Sequence, residues 1–136
     1  MWESRKQGRS GAAALPSGQI TTKRRGDQAE HQARRYLESR GLRWVASNFR
    51  TPGRGGGEID LVMREAETLV FVEVRQRSRS DFGGAGASVS ALKQRRIILA
   101  ARHYLMRLPQ VPPCRFDVLL IEAGDITWLR AAFDAA

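Results

Sequence analysis

The stretch GEIDLV at positions 57–62, followed by LVFVEVR at positions 69–75, decides the fold of this chain. Both segments are rich in β-branched and aromatic residues, a composition typical of buried β-strands. Each carries an acid, Asp60 or Glu73, at a position where a buried strand normally has an apolar side chain. Burying two neighbouring carboxylates is costly unless a cation or a shared proton compensates. The two acids, with Arg75 two residues beyond the second, therefore predict the divalent-metal site of a phosphodiesterase.

The spacing of the two segments predicts a tight hairpin with a loop at residues 66–67, so that Glu65 pairs with Thr68. In this register Asp60 lies directly opposite Glu73, with Cβ atoms roughly 4.5–5.5 Å apart. Mg²⁺ prefers one or two carboxylates together with waters and phosphate oxygens, so this pair would suit it. A one-residue change in the turn would move Asp60 to the other face and remove the site.

The remaining patterns complete an α/β fold with the element order αβββαββ, which predicts a mixed sheet flanked by helices. Flexible loops are expected at residues 51–57 and 77–87, which are rich in glycine. The predicted elements are a helix at 27–40 with Asp27 as N-cap, strands at 42–50, 58–64 and 68–76, a helix from Ser88 or Ser90 to about Leu108, and strands at 114–121 and 126–130.

The charge of the chain is large and uneven. Its 136 residues carry a net charge of +9, and the first 25 residues hold six basic side chains against one acidic. Residues 1–22 lack apolar periodicity and are expected to be a disordered basic tail, followed by one domain at 23–136. A basic arm on a basic domain favours a polyanionic partner such as nucleic acid or an anionic membrane surface.

The same composition argues against several classes of protein. No apolar run approaches the roughly 18 residues needed to span a bilayer, so no membrane segment is expected. The single cysteine, Cys114, excludes an intramolecular disulfide framework and leaves too few thiols for a structural zinc site. A cytoplasmic location is therefore expected, because a reducing compartment fits this cysteine content best.

Four motifs in combination resemble the YraN-like family of bacterial proteins: Glu30, GEIDL at 57–61, FVEVR at 71–75 and RFDV at 115–118. The resemblance covers about residues 26–131. That family is similar to the restriction-endonuclease-like superfamily, especially archaeal Holliday-junction resolvases, whose core motif is E…D…(D/E)xK. The resemblance implies a restriction-endonuclease-like fold, and it matches Glu30, Asp60 and Glu73 to the three acids of that motif.

The chain departs from the superfamily motif at Arg75, which stands where the lysine is expected. An arginine keeps the positive charge but cannot deprotonate and is bulkier. It could still stabilise a pentacovalent phosphate, with metal-bound water supplying the base. The resemblance thus implies a catalytic set of Glu30, Asp60, Glu73 and Arg75, with Mg²⁺ or Mn²⁺ held by Asp60 and Glu73.

Glu30 and a further acid also have structural explanations. Asp27 and Glu30 fit a helix capping box, and Arg34 is a salt-bridge partner for Glu30 one turn along the predicted helix. Asp117 lies within an apolar strand beside Arg115. It is expected to anchor that arginine or the first helix rather than to bind metal.

The two hairpin acids have an alternative explanation as well. Asp60 could form a buried ion pair with Arg75, and Glu73 could be neutralised by Arg75 or Arg77 alone. In that case the acids would belong to an inert core. The residues alone leave both explanations open.

Lys93 and Arg96 are spaced i,i+3 near the start of the second predicted helix and so share a face, where they could grip a phosphate. A solvated basic face is the alternative.

Together these features predict a metal-dependent nuclease that acts on nucleic acid, with DNA and branched DNA favoured by the resemblance. The alternatives are a non-catalytic nucleic-acid-binding protein of the same fold and an interaction module in a repair or RNA assembly. A homodimer is expected by analogy with the resolvases.

Overall fold

A computed structural model describes residues 22–53, 55–77 and 89–135, with side chains from residue 26 onward. The predicted tail up to residue 21 and most of the predicted loop at 77–87 lie outside these residues. The element order is αβββαββ, and the predicted α/β class is confirmed. The elements are α1 (Thr22–Ser39), β1 (Arg43–Arg50), β2 (Glu58–Glu65), β3 (Thr68–Arg77), α2 (Ala91–Leu105), β4 (Cys114–Glu122) and β5 (Asp125–Phe133).

The five strands form one mixed sheet in the order β1-β2-β3-β4-β5. Neighbouring strands are antiparallel except β3 and β4, which are parallel because the chain crosses over through α2 between them. In the β2–β3 hairpin Glu65 pairs with Thr68 and Leu61 pairs with Val72. The predicted loop and register of this hairpin are therefore confirmed.

The helices cover opposite faces of the sheet. The buried residues of α1, which are Ala29, Ala33 and Leu37, pack with one set of strand residues. Those of α2, which are Ile97, Ala100, Ala101 and Tyr104, pack with the other set. Each large apolar side chain buried in this way contributes about 1.5–3 kcal/mol. Within the described part of the chain, neither helix is long and apolar enough to cross a membrane.

The start of α1 differs from the prediction. The helix begins at Thr22, so Asp27 lies inside it and is not its N-cap. The capping-box explanation of Glu30 is therefore wrong. Gly26 is the one poor helix former near this end, and a single glycine costs a helix only about 1 kcal/mol. By contrast, the predicted cap of α2 is confirmed, because the Ser90 hydroxyl accepts a hydrogen bond from the Lys93 backbone N–H at 3.1 Å.

Asp117 is a structural anchor, as predicted. Its fully buried carboxylate accepts hydrogen bonds from Arg115 Nε at 3.0 Å, Trp128 Nε1 at 2.9 Å and the Ala131 backbone N–H at 2.8 Å. The bonds from Trp128 and Ala131 join β4 to β5 where the register of the two strands shifts. Every oxygen of this carboxylate is used, so Asp117 plays no part in the candidate site below.

Gly57 sets the distance between the sheet and α2. It precedes β2 and exchanges hydrogen bonds with Thr51: the Thr51 backbone N–H donates to the Gly57 carbonyl, and the Gly57 N–H donates to the Thr51 hydroxyl. A Cβ at position 57 would lie 1.8 Å from the backbone oxygen of Arg96. Only glycine therefore lets the α2 backbone approach this closely.

Gly57→Ala should destabilise the protein by about 1–3 kcal/mol, the usual effect of forcing an extra carbon into packed structure. The obstacle is the helix backbone, which cannot move aside as a flexible side chain can. Gly26→Ala is the matched control, because a Cβ there meets nothing within 4 Å. It should leave the stability unchanged or raise it by up to about 1 kcal/mol through helix propensity. Thermal melts of both variants test this prediction, and an unchanged Gly57→Ala melt would contradict it.

Candidate functional site

Three acids from three different elements meet at one end of the sheet. Glu30 comes from α1, Asp60 from the third position of β2, and Glu73 from the second half of β3. The carboxyl groups of Glu30 and Asp60 share a hydrogen bond, and so do those of Asp60 and Glu73. Asp60 is therefore the central member of a carboxyl cluster, which we define as Glu30, Asp60 and Glu73.

Asp60 reaches both neighbours because β2 is irregular at its start. Regular alternation would place Ile59 and Leu61 on one face, but Leu61 packs in the α1 layer and Ile59 in the α2 layer. Asp60 lies at this break. One of its oxygens accepts the Val74 backbone N–H at 2.8 Å. This bond fixes the carboxylate of β2 beside Glu73 on β3.

The carboxyl cluster retains protons at neutral pH. Burial, reinforced by the charge of Asp60, raises the pKa of Glu73 to about 8 and that of Glu30 to about 7. Burial likewise raises the pKa of Asp60, against the lowering effect of the Val74 N–H. Carboxyl groups held this close cannot all ionise unless a cation compensates them.

Among the described residues, Lys93 is the cation that contacts the carboxyl cluster directly, whereas the sequence predicted Arg75 or Arg77 in this place. Lys93 Nζ lies 3.6 Å from Glu73 Oε2; the Lys93 side chain is 44% exposed and that of Glu73 8%. Arg77 instead pairs with Glu122 on β4, with its Nε 3.1 Å from Oε2. Half-buried Arg75 forms no ion pair with the described residues, and its charge lowers the pKa of Glu73 less than that of Lys93 does. The predicted neutralisation of Glu73 by Arg75 or Arg77 alone is therefore wrong.

The other predicted partner of Glu30 is also absent. Arg34 pairs with Glu38 at 3.3 Å and not with Glu30. The Glu30 carboxyl instead accepts a hydrogen bond from the Asn48 side chain. Asn48 was not a sequence candidate, although an asparagine between Ser47 and Phe49 in a strand is an unusual choice. It has a left-handed backbone, with φ of 54°, which asparagine tolerates better than most residues.

The second predicted pair, Lys93 and Arg96, separates into two environments. Lys93 faces the carboxyl cluster, whereas Arg96 is exposed one turn further along α2. Residues 91–108 carry five Lys or Arg residues and no Asp or Glu. The solvent-facing side of α2, which begins beside the carboxyl cluster, is therefore strongly basic.

The cluster suits a cation that needs few protein ligands. In the described residues, no group of three or more His, Cys, Asp or Glu side chains could hold a metal ion. Asp60 and Glu73 remain as a pair of carboxylates, which is the number Mg²⁺ and similar hard cations use beside waters and phosphate oxygens. A cation bound between them would offset the repulsion that arises when both carboxyl groups ionise.

Comparison with known proteins identifies the family. The sequence model of the family described as uncharacterised protein family UPF0102 matches residues 29–121 of the chain. The chain belongs to this family. The predicted resemblance to the YraN-like family is thereby confirmed. The matched segment contains all three members of the carboxyl cluster together with Arg75, Lys93 and Arg96.

Curated relatives agree with this assignment over most or all of their length. The chain is 62% identical to a UPF0102 protein of Polaromonas naphthalenivorans (strain CJ2), with all of both chains covered. It is 59% identical to one from Polaromonas sp. (strain JS666 / ATCC BAA-500), again over all of both chains. A third, from Albidiferax ferrireducens, is 63% identical, with 85% of this chain and 91% of the relative covered.

Proposed function

We propose that the protein is a metal-dependent nuclease that hydrolyses phosphodiester bonds in nucleic acid, with DNA, including branched DNA, as the expected substrate. The observation that carries this proposal is the carboxyl cluster, in which Asp60 and Glu73 are held together despite their like charges beside Lys93. A fold tolerates such repulsion most readily where a bound ion and substrate relieve it.

Asp60 and Glu73 are the residues that would hold Mg²⁺ or Mn²⁺. Such an ion, when bound, supplies charge stabilisation at the phosphate and lowers the pKa of a coordinated water. Glu30 contacts Asp60, so its proposed role is to orient the Asp60 carboxylate. Asn48 fixes Glu30 in turn. A series of contacts therefore links Asn48 on the edge strand β1, through Glu30, to Asp60 at the centre of the proposed site.

The reaction would be the displacement of an alkoxide from phosphorus by water. A bond forms between the water oxygen and phosphorus, and the bond from phosphorus to one ester oxygen breaks. The water proton passes to solvent or to a carboxylate, and the departing oxygen is protonated. Negative charge grows on the phosphate oxygens during this step, so fixed cations at the site would stabilise the transition state.

The basic side of α2 supports nucleic acid as the substrate class. Arg95, Arg96 and Arg102 are exposed on a helix whose first turn lies beside Glu73. A phosphate backbone lying along this helix would enter the carboxyl cluster at Lys93. Arginine is well suited to such contacts because its planar group binds phosphate through two parallel hydrogen bonds.

The decisive test is a cleavage screen of linear, branched and single-stranded DNA and RNA in the presence of Mn²⁺ and, separately, of EDTA. The proposal expects cleavage of at least one substrate with Mn²⁺ and none with EDTA. Binding without cleavage of any substrate would contradict it and would favour a non-catalytic nucleic-acid-binding protein. Absence of both binding and cleavage would favour a protein-interaction module.

Binding should weaken steeply as salt is raised, because each phosphate neutralised by the protein releases condensed counterions. Replacing both Arg96 and Arg102 by glutamine should reduce the slope of log affinity against log salt by about two. The control variant, Arg40→Gln with Arg43→Gln, removes the same charge near the far end of β2, where Arg43 pairs with Arg64. Equal slopes for the two double variants in a fluorescence-anisotropy titration would contradict a binding face on α2.

One observation favours the non-catalytic alternative. The described residues contain no group of three metal-binding side chains, and the carboxyl groups of the cluster hydrogen-bond to one another. A cluster that holds protons can persist without metal. Mn²⁺ binding separates the two functions, because a scaffold with a protonated cluster should not bind Mn²⁺ at this place.

A further inference from the structure

Lys93 occupies a position that simple stabilisation of the fold does not explain. Its backbone N–H is bonded to the N-cap Ser90, so it lies in the first turn of α2. Cations are unfavourable at that end of a helix because the helix dipole is positive there. The first turn contains no acid to compensate. A lysine used only to stabilise α2 would be expected in the last turn.

The contacts of Lys93 divide between the protein and the solvent. Its ammonium is 3.6 Å from Glu73 Oε2, while 44% of its side chain remains exposed. At that distance it is near Glu73 without a short, tightly closed ion pair. An ammonium has three donors, so one faces Glu73 and the others are open to a group arriving from solvent. One ammonium also cannot offset all three carboxyl groups of the cluster when they ionise.

We propose that Lys93 is a catalytic residue of the proposed nuclease, contacting the reacting phosphate where it binds beside Asp60 and Glu73 and stabilising the charge that develops on it. The proposal rests on the proposed function. Lys93 remains an ammonium throughout and transfers no proton. It differs from the basic residues further along α2, which bind the backbone of the nucleic acid in ground state and transition state alike.

Arg75 is less well placed for this role. It projects from β3 two residues beyond Glu73, and its contacts among the described residues include no ion pair with the cluster. Its bulkier planar group also needs more space between the two carboxylates. Arg75 is therefore expected to contribute to the general positive potential of the site rather than to the contact with the reacting phosphate.

The test compares Lys93→Met, Lys93→Arg, Arg75→Met and Arg96→Met on the nucleic acid that the wild type cleaves best in the screen. Lys93→Met should lower kcat about 100- to 1,000-fold with KM changed by less than about threefold. Lys93→Arg should recover part of this loss. Arg75→Met should lower kcat less than Lys93→Met does. Arg96→Met changes a residue of the proposed binding face on the same helix, and it should therefore raise KM more than it lowers kcat.

Two further measurements separate catalysis from folding. Thermal melts should place Lys93→Met close to the wild type, and its Mn²⁺ affinity should be equal or higher because a competing cation has been removed. If the methionine variant melts early, Lys93→Gln, which can still hydrogen-bond to Glu73, replaces it. A kcat within threefold of the wild type in a folded Lys93 variant would overturn the role of Lys93 alone. A wild type that cleaves nothing would overturn the proposed function and this role with it.

Discussion

Asp60→Asn should abolish Mn²⁺ binding at the carboxyl cluster and lower cleavage by about 100- to 1,000-fold or more, the loss typical when one electrostatic partner of a transition state is removed. Asparagine has nearly the same shape as aspartate, and its carbonyl oxygen can still accept the Val74 N–H that Asp60 accepts at 2.8 Å. The charge is therefore removed while the hairpin is kept. Mn²⁺ titration calorimetry and the cleavage assay measure the two effects.

Glu58→Gln is the matched control for this variant. Glu58 lies two residues before Asp60 on the same strand, but its side chain is 42% exposed and pairs with Arg50 at 3.5 Å. Exposed pairs of this kind contribute about 0–1 kcal/mol. The control should therefore bind Mn²⁺ and cleave as the wild type does. If Asp60→Asn retained both properties, the metal site would have to be placed elsewhere and the nuclease proposal would fail.

The meeting of Asp60 and Glu73 could be predicted because it depends on local information. A two-residue loop between two strand-forming segments leaves one register, and in that register Asp60 faces Glu73 across the hairpin. The paired residues Glu65 and Thr68 confirm it. The apolar composition of both segments also predicted that these carboxyl groups would be withdrawn from water.

The partners from other elements could not be predicted, because they depend on how helices pack on the sheet. Glu30 fitted a local capping pattern, yet its contacts are Asn48 and Asp60, which are far along the chain. Lys93 reaches Glu73 only because Gly57 permits the close approach of α2. No spacing rule within a single helix or strand reveals contacts of this kind.

The Glu73→Gln variant should become more stable than the wild type as pH rises, when both are melted in EDTA. Burial raises the pKa of Glu73 to about 8 from its ordinary value of 4.5. The folded protein thus holds a proton on Glu73 that the unfolded chain has already released. Between these pH values the free energy of unfolding of the wild type falls as pH rises, because the folded state binds more protons.

Glutamine keeps the size of the side chain and carries no proton to lose. Relative to their difference at pH 4.5, the variant should gain on the order of 2–4 kcal/mol over the wild type by pH 8, with the gain levelling off above that pH.

Mn²⁺ at pH 8 should restore much of the wild-type stability and leave the variant unchanged, since bound metal stabilises only the folded state with its ligands intact. Glu67→Gln, a change at the exposed hairpin turn, serves as the control. A pH-independent difference between Glu73→Gln and the wild type would mean that Lys93 keeps Glu73 ionised in the folded protein. The cluster would then be a settled ion pair, and the argument for a bound metal would lose its electrostatic basis.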